Sequence, residues 1–297
     1  MPHVGQGQRR SPIAESANPT IRQRELGIRL RELRGQVGLT VEEVGRQMLC
    51  SATKVSRLET GSRRASLRDV RDLVRIYGVT DQAQADALME LARQSREPGW
   101  WTKYDDYVLS PFLGLEQEAA AITVFSMYFV PALLQTTDYA GAIIRGIERK
   151  IEPAALGQRV EARMRRQRLL DSETPPRYRA LLDEAVLHRH VGGRPVMGAQ
   201  LEKIVETALS EKATVQVIPF EAGAHASEDS YFCLLEFGED LQQGPVVFIE
   251  SLFSNRYLER PAEIQRYREA VDYLRDAALS VQDSIDLITK IRSAHYS

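Results

Sequence analysis

The stretch "TVEEVGRQMLCSATKVSRLETG", residues 40–61, decides the reading of the first part of this chain. Thr40 followed three residues later by Glu43 is a capping box, so a helix starts at Val41. Val41, Val44 and Met48 supply its buried stripe. After a short break, Ser51 caps another helix that runs to Glu59 and stops near Gly61. That second helix buries little. Val55 and Leu58 are its aliphatic anchors, while Thr53, Lys54 and Arg57 are left for solvent.

The flanks complete a compact helical domain. "ELGIRLRELRGQV" (25–37) places Leu26, Leu30, Leu33 and Val37 on one face, and Gly38 ends that helix. Ser66 caps "SLRDVRDLVRIYG", which Gly78 ends, and Asp81 opens a fifth helix halted at Pro98. Five short helices with tight connections imply an all-α domain over 21–97. Residues 1–20 are rich in Gly, Pro, Ser and Asn, have no apolar core, and read as a disordered arm rather than a signal peptide.

Charge is unevenly spread. The 297-residue chain carries a net −2, yet Ile21 to Ile76 holds 13 Lys or Arg against 7 Asp or Glu. That region is therefore +6 and the remainder −8. One basic region on an acidic body implies a local anionic partner. No run approaches the roughly 18 apolar residues of a membrane helix. Cys50 and Cys233 lack metal-ligand spacing and read as reduced thiols of a cytoplasmic protein.

Two helices joined by a short turn, with Val44, Met48, Val55 and Leu58 meeting in the angle, have helix-turn-helix spacing. The polar end of the second helix is then free to enter a major groove. We expect Ala52, Thr53, Lys54 and Arg57 to face base edges: Arg and Lys donate to guanine, and Thr and Ala contact the thymine methyl. Thr40, Ser51, Arg63 and Arg64 are the expected phosphate contacts. A module of this size binds best as a dimer on an inverted-repeat operator of double-stranded DNA.

Beyond 97 the pattern changes. "REPGWWTKYDDYVLSPFLGLE" (96–116) carries both tryptophans, and 98–118 reads as a linker or seam. Residues 119–297 form an α+β domain with a small sheet. "VPALLQTTDYAGAIIRG" reads as a turn and a helix, and helices are expected over 153–171, 195–212, 261–279 and 281–295. "RYRALL" is a possible strand, while "TVQVIPF", "YFCLLEF" and "PVVFIES" are β-branched and aromatic and read as strands.

No catalytic constellation assembles from the sequence. His188 and His190 are spaced H-x-H without a completing carboxylate or cysteine, and neither H-E-x-x-H nor G-x-S-x-G occurs. Asp183 and Glu184 are adjacent and would point apart on a helix, and His225 sits between strands. We therefore expect no enzyme, no metal and no cofactor. Two other roles remain for the second domain. Leu133, Leu134 and Tyr139, with a sheet edge in "YFCLLEF" or "PVVFIES", can receive a small protein. Alternatively Trp100, Trp101, Tyr104, Tyr107 and Phe112 line a metabolite pocket at the seam. The basic "RMRRQR", 163–168, reads as a solvated helix face.

Residues 26–79 resemble the XRE-type helix-turn-helix family of the phage Cro and cI repressors, above all in "VSRLETG", where S-R-x-E-x-G recurs. Three positions depart from that pattern. Gly45 replaces the usual alanine, which weakens its helix by up to about 1 kcal/mol. Leu49 replaces the turn glycine and Val41 a phosphate-touching glutamine. "EPGWW", "LGLEQEA", "VPALLQTTDYA", "LLDEAVLHR", "VQVIPFEAGAHA", "VVFIES" and "YLERPAEIQRY" resemble the effector domain of WhiJ-like regulators of actinobacteria. That resemblance implies an antitoxin-like repressor paired with a small protein encoded nearby.

Overall fold

The computed structural model describes residues 21–61, 63–96, 100–104, 110–227, 231–239, 243–251 and 255–296. The expected N-terminal arm, 1–20, lies outside the described residues. The chain divides into two compact units, Met1–Pro98 and Gly99–Ser297.

The first unit is helical: α1 (Ile21–Gln36), α2 (Val41–Gln47), α3 (Ala52–Glu59), α4 (Leu67–Ile76) and α5 (Gln82–Gln94). Thr40 and Ser66 each close a full capping box, with Glu43 and Asp69, and Ser51 and Asp81 cap α3 and α5. Leu26, Leu30 and Leu33 of α1 meet Val44, Val55, Leu58, Val70, Leu73, Leu88 and Leu91 in one core. Val37, expected on that face, is instead 43% exposed, because α1 ends one residue earlier. Two glycines allow close approach. A Cβ on Gly27 would stand 2.5 Å from the Glu59 carbonyl oxygen, and one on Gly45 would stand 2.9 Å from that of Cys50. Alanine at 45 would thus press on the turn it precedes, which gives the departure at that position a packing reason. Leu49 in the same turn adopts the left-handed conformation at φ 53°.

The second unit opens with α6 (Ser110–Glu118), which falls inside the stretch read as a linker. Its Phe112, Leu113 and Leu115 are buried, so it belongs to the unit's core. Then follow β1 (Ala121–Ser126), α7 (Thr137–Ile147), α8 (Pro153–Gln167), β2 (Arg177–Asp183), α9 (Ala185–His188), α10 (Arg194–Leu209), β3 (Thr214–Ile218), β4 (Tyr231–Glu236), β5 (Val246–Glu250), β6 (Asn255–Leu258), α11 (Pro261–Ala277) and α12 (Val281–His295). The strands form a six-stranded mixed sheet ordered β3-β2-β1-β4-β5-β6. The β1–β2 and β2–β3 pairs are parallel, and the other three are antiparallel.

Two strands were not anticipated. β1 is buried on both faces and so shows no alternation, and β6 is only four residues long. The topology also corrects the expected sheet edge. "YFCLLEF" and "PVVFIES" became β4 and β5, each bonded on both sides, so neither can accept an added strand. The edges are β3 and β6. β3 is partly covered: the Val217 N–H donates to Ser284 Oγ, and its carbonyl accepts from the Leu279 N–H. α11 lies over one sheet face, where Ile264, Val271 and Leu274 pack on Phe125, Leu181, Phe232, Leu234 and Val247.

Candidate nucleic-acid interface

The anchoring of α3 begins with Val55 and Leu58, which are 0% and 2% exposed. A polar lock adds to them. The buried Glu59 carboxylate accepts two bonds from the Arg34 guanidinium, at 2.7 and 2.9 Å, and one from the Tyr77 hydroxyl at 3.4 Å. Arg34 Nη1 also donates to the Leu39 carbonyl at 2.8 Å. Just beyond α3, the Gly61 carbonyl accepts from Gln23 Nε2 at 2.7 Å. Burial pushes the Tyr77 hydroxyl far above its usual range, and nearby Glu59 adds to this, so Tyr77 stays a donor. Sequence reasoning assigned no role to Arg34, Glu59 or Tyr77. The S-R-x-E-x-G pattern was their signal: its glutamate is the buried end of the lock.

With α3 held this way, Ser51, Thr53, Ser56, Arg57 and Thr60 are exposed, and Ala52 is half-buried. Ser56 and Thr60 extend the expected face by a turn. Lys54 does not join it as expected. Its Nζ lies 2.5 Å from Asp69 Oδ1, and its side chain is only 26% exposed. The partner comes from the first turn of α4, so reading a base with Lys54 would require breaking this pair. Burial raises the Asp69 carboxyl, but bonds from Lys54 and Ser66 outweigh it and hold the group below the usual range.

The expected phosphate contacts separate in the same way. Arg63 and Arg64 are exposed and form no ion pair among the described residues, and the same is true of Arg57. Ser51 Oγ accepts from the Lys54 N–H, which leaves its hydroxyl proton to donate. Thr40 is committed to its cap: its hydroxyl and its N–H both donate to Glu43 Oε2, so neither is left over for a phosphate. Next to this face, Leu49 is 94% exposed at the tip of the turn.

In the second unit the expected partner surface is interior. Leu133, Leu134 and Tyr139 are 3%, 0% and 0% exposed. The Tyr139 hydroxyl accepts from the Val130 N–H at 3.2 Å and is pushed up to about 12 by burial. The Leu134 carbonyl accepts from Gln200 Nε2 of α10 at 2.7 Å. Helix α10 closes this corner, and no partner can reach it without opening the fold. Trp100 and Trp101 are half-buried and meet edge to face at 5.8 Å, with the Arg165 guanidinium 4.9 Å over Trp100. The Tyr104 hydroxyl donates to Glu161 at 2.8 Å, and Phe112 stacks on Phe248 at 4.3 Å. Phe112 is thus core rather than pocket lining, and Tyr107 lies outside the described residues.

The basic run on α8 is not uniformly solvated either. Arg166 is buried and grips Glu116 with two bonds of 2.9 and 2.8 Å. Asp183 and Glu184 each face a histidine, His225 at 3.3 Å and His188 at 3.1 Å.

Two family models match the chain. One, described as a helix-turn-helix domain, covers residues 25–88, and one, described as a domain of unknown function (DUF5753), covers 109–290. Neither curated proteins nor solved structures gave a match. Among the described residues, no helix is long and apolar enough to cross a membrane. The second model spans more than half of the chain, which therefore belongs to the DUF5753 family; its helix-turn-helix makes it a DNA-binding transcription regulator.

Proposed function

We propose that this regulator is a cytoplasmic, antitoxin-like repressor of the WhiJ-like kind that binds an inverted-repeat operator as a homodimer. The observation that carries the groove assignment is the α3 face, where Thr53, Ser56 and Arg57 stand exposed above buried Val55 and Leu58. Arg57, with no ion pair among the described residues, matches the paired acceptors of guanine. Arg63 and Arg64 neutralise phosphates. Dimerisation supplies the affinity a lone module lacks and sets half-site centres about 10 bp, or a multiple, apart. We assign the chain no catalytic role.

Binding measurements test this directly. Arg57→Ala should cost about 1–3 kcal/mol on the operator and relax preference at one base position. Arg63→Ala should weaken all sequences alike and lower the slope of log affinity against log salt by about 1. Wild-type binding by both variants, to operator and random DNA alike, would sink the groove assignment.

For the second unit we propose a small protein partner encoded nearby. Support comes from exposed aromatics where the parallel strands end. Tyr128 and Phe129 follow β1, Phe220 follows β3, and they are 47%, 37% and 57% exposed. This set takes the place of the buried Leu133–Leu134 corner. Phe220→Asp should remove binding of the purified partner and leave operator affinity unchanged. Because coupling is reciprocal, operator DNA and the partner should shift each other's affinity by the same factor. A metabolite-sensing reading is favoured by a separate feature, a cleft on the sheet.

A further inference from the structure

The sheet face under α11 is not closed along its whole length. Toward the amino ends of β1 and β2 the apolar packing gives way to a cleft of about 750 Å³ between the strands and the helix. That lies within the roughly 300–1,000 Å³ of small-molecule sites. Its walls carry five cationic side chains and three carboxylates.

The pairing of these charges leaves a surplus at one place. Arg268 bonds Glu236 at 2.7 Å, and Arg275 lies 3.4 Å from Asp272. Lys212 is engaged by Asp171 at 2.6 Å. Neither Arg177 nor Arg179 forms an ion pair among the described residues, the third carboxylate of the wall, Glu211, included. They are two apart on β2, so they share a face about 6.6 Å from one another. Arg179 is half-buried, and the side-chain partner of its Nη1 is the neutral Gln216 Oε1 at 2.8 Å. Gln216 is itself fixed by a bond to the Leu279 carbonyl. Burial, together with the like charge of Arg275, holds the Arg179 guanidinium below its usual range. An arginine desolvated beside another cation, with no carboxylate to answer it, is a costly arrangement that an anion would relieve. Guanidinium groups also match the geometry of phosphate oxygens. Leu170, Pro175, Pro176 and Val271 add an apolar wall to the same cleft.

We propose that this cleft binds a small organic phosphate ester, with its phosphate on Arg177 and Arg179 and its organic part against Pro175, Pro176 and Val271. The site is separate from the α3 face and does not depend on the protein-partner reading.

Calorimetric titration of the full chain tests it, with inorganic phosphate, a hexose phosphate, a nucleoside monophosphate, the unphosphorylated hexose and nucleoside, and succinate as probes. At least one ester should bind saturably and raise the melting temperature, and should bind more tightly than inorganic phosphate, its unphosphorylated parent or succinate. Arg179→Gln and Arg177→Gln should each weaken that ester by roughly tenfold to a hundredfold, the range for a lost charge-assisted bond. Arg63→Ala, in the DNA-contacting unit, should leave it unchanged. Arg177 is exposed, so its variant keeps the fold even if Arg179→Gln does not. The proposal is overturned if no ester binds, if Arg177→Gln binds the ester like wild type, or if Arg63→Ala abolishes binding. Tighter binding of inorganic phosphate than of every ester, or of a mixed-sequence oligonucleotide through the same arginines, would also overturn it.

Discussion

Glu59 is the residue whose replacement tests most sharply how the DNA-contacting helix is held. Its side chain is 4% exposed and that of Arg34 18%, and the two share bonds of 2.7 and 2.9 Å. Glu59→Gln keeps the size but removes the charge and turns one acceptor into a donor that faces other donors. Arg34 then keeps the Leu39 carbonyl and one amide oxygen, and of the carboxylates acting on it only that of Glu42 remains. Breaking a buried pair costs about 3–5 kcal/mol; the partial exposure of Arg34 argues for the low end, about 3 kcal/mol. For a helical unit of this size that is a drop of about 12–24 °C in melting temperature. Arg34→Met should cost a comparable amount. The double variant should fall short of the sum by about 2 kcal/mol, since each change removes the same bond. Hydrogen exchange in peptides covering 21–61 reports on this event. Well below its melting temperature, Glu59→Gln should lose affinity equally for operator and random DNA. A cost below about 1 kcal/mol, or strict additivity of the two changes, would show that the lock does not hold α3.

Leu49→Gly should stabilise the first unit by about 0.5–1 kcal/mol in denaturant unfolding, because glycine removes the left-handed strain at φ 53° while giving up some chain stiffness. Leu134→Asp should destabilise the second unit by more than about 4 kcal/mol, since it places a carboxylate at a fully buried position; a folded variant would contradict the packing. The Asp69 carboxyl is held low in the folded chain, so its contribution is complete above the unfolded value of about 4 and is lost as pH falls through the folded one. Asp69→Asn should therefore flatten the acid limb of the stability–pH curve, and an unchanged limb would show that the Lys54 bond is inconsequential.

Features governed by neighbours along the chain were legible in the residues. The caps at Thr40, Ser51, Ser66 and Asp81 each act within three residues, and all appear in the structure. The 3.6-residue spacing of Leu26, Leu30 and Leu33 placed their face correctly, because one helix carries the whole pattern. β1 escaped notice for the converse reason: buried on both sides by elements far along the chain, it has no polar face to betray its period.

A helix-turn-helix over α2 and α3, its basic charge, and an α+β unit behind it are readable from the residues alone. These follow from periodicity, capping and composition, which act over a few residues. Which side chains on those elements are available is set by segments distant along the chain. Lys54 is withdrawn by Asp69, fifteen residues on, and Glu59 is claimed by Arg34, twenty-five residues back. Leu134 is covered through Gln200, sixty-six residues away, and Arg179 shares its cleft with Arg275 of α11. Burial and ion pairing depend on contacts between elements, and no local spacing encodes which element arrives.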